Sequence, residues 1–334
     1  PQRIPLLPRA YAPRVMVVRG KTLIQKTLFL SASHFAVRSV GFLLRLWLSR
    51  ELGAQTMGLV ELAQSAQMLL ITPVVTGLPV AVNVSRMCAK TEGARRVRVV
   101  RCALLLALPV SLLIAALAFL FREPLCLWLG DVQTLPALLC FLPCIPILGA
   151  SCVLNGYYYG IGQPVPPAVS ELLEQIVRAL LCVRLVYGLR GWPTLFRAAI
   201  PAVATLAGET AGLILMLVLF AQGEGSRKPV FRELLALALP LTGMRLVSSL
   251  MQTVNATLIP ARLQLFGLSA AEAMASLGVF HGMLKPILFM PSFITCSLSM
   301  AAAPELTQRQ TDGRPLCALS SGMLRAALGV GAAA

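Results

Sequence analysis

Charge is scarce in this sequence. Asp, Glu, Lys and Arg make up 13% of its 334 residues, about half the share of an ordinary soluble domain. Apolar residues make up 57%, in long blocks, and the mean hydropathy is +0.79. That excludes a soluble globular chain and predicts an all-α, polytopic transmembrane bundle. Other absences narrow the function. There is no glycine-rich nucleotide loop, no Ser-His-Asp order and no paired-histidine metal motif. No enzyme activity and no cofactor is expected, which leaves an ion gradient, or no energy source visible in the sequence. Nine cysteines are scattered through the chain. Cys140 and Cys144 stand one helical turn apart, but no second pair completes a metal site, so the cysteines read as small packing residues. No apolar signal-peptide core opens the chain. Residues 1–21, basic and interrupted by proline, read as a disordered cytosolic lead-in.

Acidic residues are scarcer still, 13 against 29 Lys and Arg, for a net charge of +16. No basic stripe interleaved with exposed aromatics accompanies that charge, so nucleic acid is not an expected partner. The cations fall between apolar blocks, as the positive-inside bias and an anionic lipid surface require. Arg3, Arg9, Arg14, Arg19, Lys21 and Lys26 precede or open the first block. Arg86, Lys90, Arg95, Arg96, Arg98 and Arg101 fill the second gap, and Arg227, Lys228 and Arg232 the sixth. These positions share one side, which predicts a cytoplasmic N-terminus. Arg184, Arg190 and Arg197, around the fifth gap, break the pattern.

A spanning helix needs about 20 mainly apolar residues. Candidates lie near 22–49, 58–85, 99–121, 133–157, 168–189, 198–221, 232–260, 275–303 and 316–334. The stretch "AQGEGSRKPVFRE" reads as a linker, which divides the chain into a first six-helix bundle over 22–222, a linker over 223–231 and a partial second bundle over 232–334. The stretch after span seven echoes the stretch after span one. Each has an Arg (Arg50, Arg262), then a Gly, then a small-residue turn, then a Gly entering the next helix with a Pro deeper within it. A parallel repeat about an axis along the membrane normal has this form.

Polar groups inside the blocks are costly in lipid, about 2.5–3.5 kcal/mol for a charge at the bilayer centre, so they should face protein or a water-filled cavity. Ser31, His34 and Arg38, with Arg45 further along, form a stripe on span one, near Gly41. Such a stripe suits an anionic phosphate or pyrophosphate; alternatively, Arg45 snorkels or pairs with an acid on a neighbouring helix. In "LLEQIVRALLCVRL", Glu174 and Arg178 are four apart and can pair along one helix. They serve either as a packing bridge or, with Gln175, as a polar wall of the same cavity. Glu61, Gln64 and Gln67 punctuate span two, Glu209 sits in "AGETAG" among small residues that mark close packing, and Arg245, Gln252 and Asn255 punctuate span seven. Glu61 and Glu209 are the ion-coupling candidates. His281 reads as a packed or interfacial residue rather than a ligand. Pro73, Pro79, Pro240, Pro286 and Pro291 are candidate kinks or hinges.

Several long stretches carry a resemblance. "RSVGFLLRLWLSRELGAQTMGLVELAQSAQMLLITPVVTGLPVAVNVSRMCAKTEG" resembles the start of the oligosaccharide-lipid flippases of the MATE-like superfamily. "SCVLNGYYYGIGQPVPPAVSELLEQIVR" and "LIPARLQLFGLSAAEAMASLGVFHGMLKPILFMPSFITCSLSMAAAPEL" look like its stage V sporulation protein B branch. The likeness runs from about residue 21 to 310. It implies a MATE-like two-lobed architecture around a central cavity, alternating access, and movement of a polyprenyl-pyrophosphate-linked sugar for cell-wall or spore-cortex synthesis in the bacterial cell membrane. The implied partners are that anionic lipid-linked oligosaccharide, the bilayer and cell-wall synthesis proteins. The resemblance implies Arg38 and Arg45 as substrate-binding residues; the polar pattern of the blocks adds His34, Arg245, Glu174 and Arg178 as candidates, of which Glu174 and Arg178 match the branch without an assigned role. The last candidate span stops in "LRAALGVGAAA", so the second lobe is expected to be incomplete. A cation-coupled multidrug exporter of the same fold, and a non-transporting scaffold or truncated inactive product, stay open as alternatives.

Overall fold

The computed structural model describes residues 20–75, 84, 88, 94–161, 163–220 and 238–289, with scattered positions between 321 and 329. Among the described residues there is no strand. The helices are α1 (Gly20–Leu52), α2 (Ala54–Val75), α3 (Ala94–Leu120), α4 (Arg122–Leu129), α5 (Leu135–Phe141), α6 (Cys144–Gly160), α7 (Val165–Gly188), α8 (Thr194–Arg197), α9 (Ile200–Phe220), α10 (Ala238–Leu265), α11 (Ala270–Gly278) and α12 (Lys285–Leu288). A 3-10 turn, Val132–Thr134, precedes α5, and a π turn, Val279–Leu284, joins α11 to α12. Spans one, three, five and six fall on α1, α3, α7 and α9, the described parts of spans two and seven on α2 and α10, and α11 through α12 supplies the start of span eight. The linker at 223–231, most of the lead-in and most of the ninth span lie outside the described residues; Gly20 and Lys21 open α1.

The fourth block, expected as one helix over 133–157, is two. Pro143 has no N–H to donate into the ladder, and α5 ends at Phe141 before α6 begins at Cys144. Helix starts follow local chemistry. α7 opens on Pro166 and Pro167, where a missing N–H costs nothing. α11 opens on a capping box: the Ser269 hydroxyl accepts from the Glu272 amide, and the Glu272 carboxylate accepts from the Ser269 amide.

Burial identifies the solvent of the outer faces. Three stretches, Arg96–Leu120, Val132–Gly160 and Thr194–Phe220, are long and apolar enough to cross a membrane. The most apolar of them, Arg96–Leu120, has mean hydropathy 2.7 yet is only 22% buried. It turns Leu105, Leu112, Leu113 and Leu120 outward. Apolar faces of that extent belong against acyl chains, not water. The chain is a polytopic helical bundle.

Within it, α7 packs against α9 and α1, α3 packs against α6, and α2 lies at the centre. α2 also carries the contact with the second half of the chain. A Cβ on Gly278 would stand 1.9 Å from the Ala54 carbonyl oxygen, and one on Gly58 2.2 Å from the Met274 carbonyl oxygen. Only glycine permits this approach of two backbones. Leu59, Val60 and Leu62 of α2 pack with Ala256 of α10 and with Met274 and Leu277 of α11. The Thr253 hydroxyl donates to the Ser65 carbonyl at 3.0 Å.

Candidate functional site

Two adjoining hollows open on either side of α2. The first, of about 180 Å³, lies among α1, α2, α7 and α9 and is lined by Gly41, Arg45, Gln64, Gln175, Arg178 and Thr205, among others. The second, of about 330 Å³, lies among α2, α10 and the turn into α12, and shares Arg45 and Gln64 with the first.

The α7 wall depends on glycines of α9. A Cβ on Gly208 would meet the Glu174 carbonyl oxygen at 2.7 Å, and one on Gly212 would meet Glu174 Oε1 at 2.2 Å. The two helices therefore close up, and the Glu174 side chain occupies the notch beside Gly212. This approach also brings Glu209 within reach of Arg178, whose Nη2 lies 3.0 Å from Glu209 Oε1. The expected Glu174–Arg178 pair along α7 is thereby replaced: Arg178 turns to the neighbouring helix, and Glu174 accepts from the Ser170 hydroxyl at 3.1 Å. An acid on α9 outcompetes the one a helical turn away because the glycine seam places it directly in front of the guanidinium.

Arg45 is arranged in the same way. It projects from α1 to the α2 carboxylate Glu61, to which it donates a hydrogen bond, while still lining both hollows. Pairing and cavity lining, alternatives in the sequence, occur together. Neither guanidinium is saturated. Arg45 Nε and Arg178 Nε are buried without a hydrogen-bond partner, as is Gln175 Oε1 between them. Buried polar atoms are normally satisfied, and these three keep hydrogen-bonding capacity that no protein group takes up.

The rest of the span-one stripe divides. His34 Nδ1 lies 3.1 Å from Glu171 Oε2 on α7. Arg38 is exposed on α1 and does not line either of the two hollows. Arg245 lies on α10 with its side chain outside the described residues. His281 is packed, as the sequence indicated, with 7% of its surface exposed. It also lines the second hollow, with Nδ1 unpartnered, beside Lys285. Lys285 and Glu171 escaped the sequence reading. The available signal for Lys285 was a lysine ahead of Pro286 in an otherwise apolar run. Among the described residues no cluster of His, Cys, Asp and Glu is fit to hold a metal ion.

Residues 23–310 match the family described as polysaccharide biosynthesis protein. The chain belongs to that family. It is 30% identical to stage V sporulation protein B of Bacillus subtilis (strain 168), over 91% of this chain and 64% of that protein. It is 21% identical to sporulation protein YkvU of the same organism, over 84% of this chain and 64% of that one. The chain thus spans 64% of the length of both relatives. The fold matches the MATE multidrug transporter DinF-BH, with a TM-score of 0.68 at 17% identity, covering 86% of this chain and 65% of that one. It also matches the inward-facing conformation of a multidrug resistance MATE family transporter of the MOP superfamily, with a TM-score of 0.58 at 19% identity, covering 83% and 67%. These likenesses establish a MATE-type fold.

Proposed function

We propose that the protein is a flippase that moves a polyprenyl-pyrophosphate-linked sugar across the cell membrane by alternating access, for cell-wall or spore-cortex synthesis. The observation that carries this reading is the pair of guanidiniums, Arg45 and Arg178, converging on one membrane-embedded hollow with buried Nε groups unspent. A guanidinium offers a planar fork that matches phosphate oxygens. Each carries one carboxylate partner, Glu61 or Glu209, which can yield when an oxyanion arrives. The relatives named for sporulation and the family's description agree with such a cargo. In this reading residues 22–222 form the first lobe, 223–231 join it to the second, and the N-terminus faces the cytoplasm.

The MATE fold itself favours a second reading, export of cationic drugs, since two of the matching structures are multidrug transporters. That reading needs free intramembrane acids; the ion-coupling candidates Glu61 and Glu209 are both engaged by arginines, which leaves Glu174, held by the Ser170 hydroxyl, as the acid it would use. The two separate experimentally. In membrane vesicles containing the protein, Arg45→Ala and Arg178→Ala are expected to weaken binding of a polyprenyl-pyrophosphate-linked sugar by about tenfold or more. Affinity that survives both substitutions refutes the flippase reading. Efflux of a cationic dye, lost in Glu174→Gln, would establish the exporter instead.

A further inference from the structure

The second hollow has a different chemistry from the first. Its wall carries four carboxamides, Gln64 and Gln67 from α2 and Gln252 and Asn255 from α10, and among the described residues none of them is hydrogen-bonded. Gln67 is only 6% exposed, and His281 presents its unpartnered Nδ1 to the same space. A carboxamide offers both a donor and an acceptor. A phosphate accepts only, so the oxygens of such a wall would face it unfavourably. A hydroxyl both donates and accepts and can use both ends of the amide, and an acetamido group does the same. Among the described residues this wall has no Phe, Tyr or Trp; Phe280 and Phe289 line a separate hollow that shares Asn255, His281 and Lys285 with it. Its cations stand at the margins: Arg45 on the wall shared with the first hollow, and Lys285 one turn beyond His281. At about 330 Å³ the space is at the lower end of ligand pockets.

We propose that this hollow is a carbohydrate subsite. Its carboxamides and His281 bind the hydroxyl and acylamino groups of a sugar, and Arg45 takes the phosphoryl end where the two hollows meet. The inference rests on the anionic lipid-linked sugar reading and adds where the sugar is held. The π turn has a part in it. His281 falls inside the π turn Val279–Leu284 and Lys285 follows it directly, and π turns concentrate at functional sites. Because α2 supplies one side and α10 to α12 the other, a sugar bound here bridges the two halves of the chain.

The test uses the purified chain in lipid nanodiscs and two probes, a polyprenyl pyrophosphate and the same lipid carrying one N-acetylhexosamine. Wild type is expected to bind the glycosylated probe at least about tenfold more tightly. Asn255→Leu and Gln252→Leu, both exposed on α10, should each erase much of that margin and leave the sugar-free affinity unchanged. Arg45→Ala should weaken both probes. The two variants are read separately, so a folding failure in one leaves the other decisive. Equal affinity of wild type for both probes, or equal weakening of both in the amide variants, overturns the subsite while leaving the anion site standing. Failure of wild type to bind either probe removes the anionic-lipid reading and this subsite with it.

Discussion

Arg178 shows how a charge is kept in an apolar wall. With 23% of its side chain exposed and its acid Glu209 at 11%, the pair is largely withdrawn from solvent. Removing one partner strands the other. Arg178→Met is expected to destabilise the fold by about 3 kcal/mol, and the double variant Arg178→Met, Glu209→Leu to recover most of that loss. Thermal unfolding in detergent micelles reads the difference, and additive losses would show that the two residues do not act as a pair. Outside the span, Glu272 permits a pH prediction. Bonds from the Ser269 amide and hydroxyl hold its carboxyl below the usual carboxylate range. A lowered folded-state pKa contributes stability above the ordinary value, and that contribution disappears as the pH falls through the lowered one. Protection of the amides at the start of α11, taken relative to the intrinsic exchange rate at each pH, should therefore fall in acid for wild type. Glu272→Gln keeps the box without its titration, and its protection should not change over that acid range. At this scale the sequence disclosed which polar residues lie in apolar surroundings, because their cost in lipid is readable from composition alone. It did not disclose partners. Glu209 is 31 residues from Arg178, and only the approach of α9 makes it a better partner than Glu174.

At the scale of elements, close approach of backbones decides the architecture. The glycine pair Gly58 and Gly278 fixes α2 against α11, and Gly208 with Gly212 fixes α9 against α7. An alanine at Gly278 must push α11 away from Ala54, whereas Gly188, at the end of α7, has nothing within 4 Å of an added Cβ. Gly278→Ala should cost about 1–3 kcal/mol, as overpacking does, while Gly188→Ala should be neutral or slightly stabilising. Equal melting temperatures for the two variants would dissolve the argument. The helices themselves were legible, since a block of about 20 apolar residues has few other structures open to it. The break at Pro143 was not, because a proline in a span can either kink a helix or end it, and the choice depends on packing around α5 and α6. The π turn left no periodic signal either: one extra residue in a uniformly apolar run changes no pattern.

Across the whole molecule, two of the three arginines that defied the positive-inside pattern, Arg190 and Arg197, acquire a role. Arg190 reaches Glu51 at 3.3 Å, and Arg197 Nη2 donates to the Glu51 carbonyl oxygen at 2.7 Å. The fifth gap is thereby tied to the first, so its charges stabilise a junction between helix ends rather than reporting the cytoplasmic face. The two halves also share a direction. Gly278 lies against Ala54, Gly282 against Met57, and His281 and Lys285 share a hollow with Glu61, Gln64 and Gln67. α2 and the stretch from α11 to α12 therefore run side by side and parallel, as the two copies of a parallel repeat would. The junctions before them match as well, with Gly53 at φ 80° and Gly267 at φ 96°. From this it follows that the loop between α10 and α11 opens on the same side as the first and fifth gaps, and that α3 begins on the opposite side. In a variant stripped of its nine cysteines, Trp192→Cys and Phe266→Cys, at positions 53% and 85% exposed, should react with an impermeant maleimide added outside intact bacteria. Arg101→Cys, near the start of α3, should react only after the membrane is opened. Labelling of Trp192→Cys without Phe266→Cys would break the parallel relation between the halves. Labelling of Arg101→Cys alone in intact cells would keep that relation and reverse the orientation, placing the N-terminus outside.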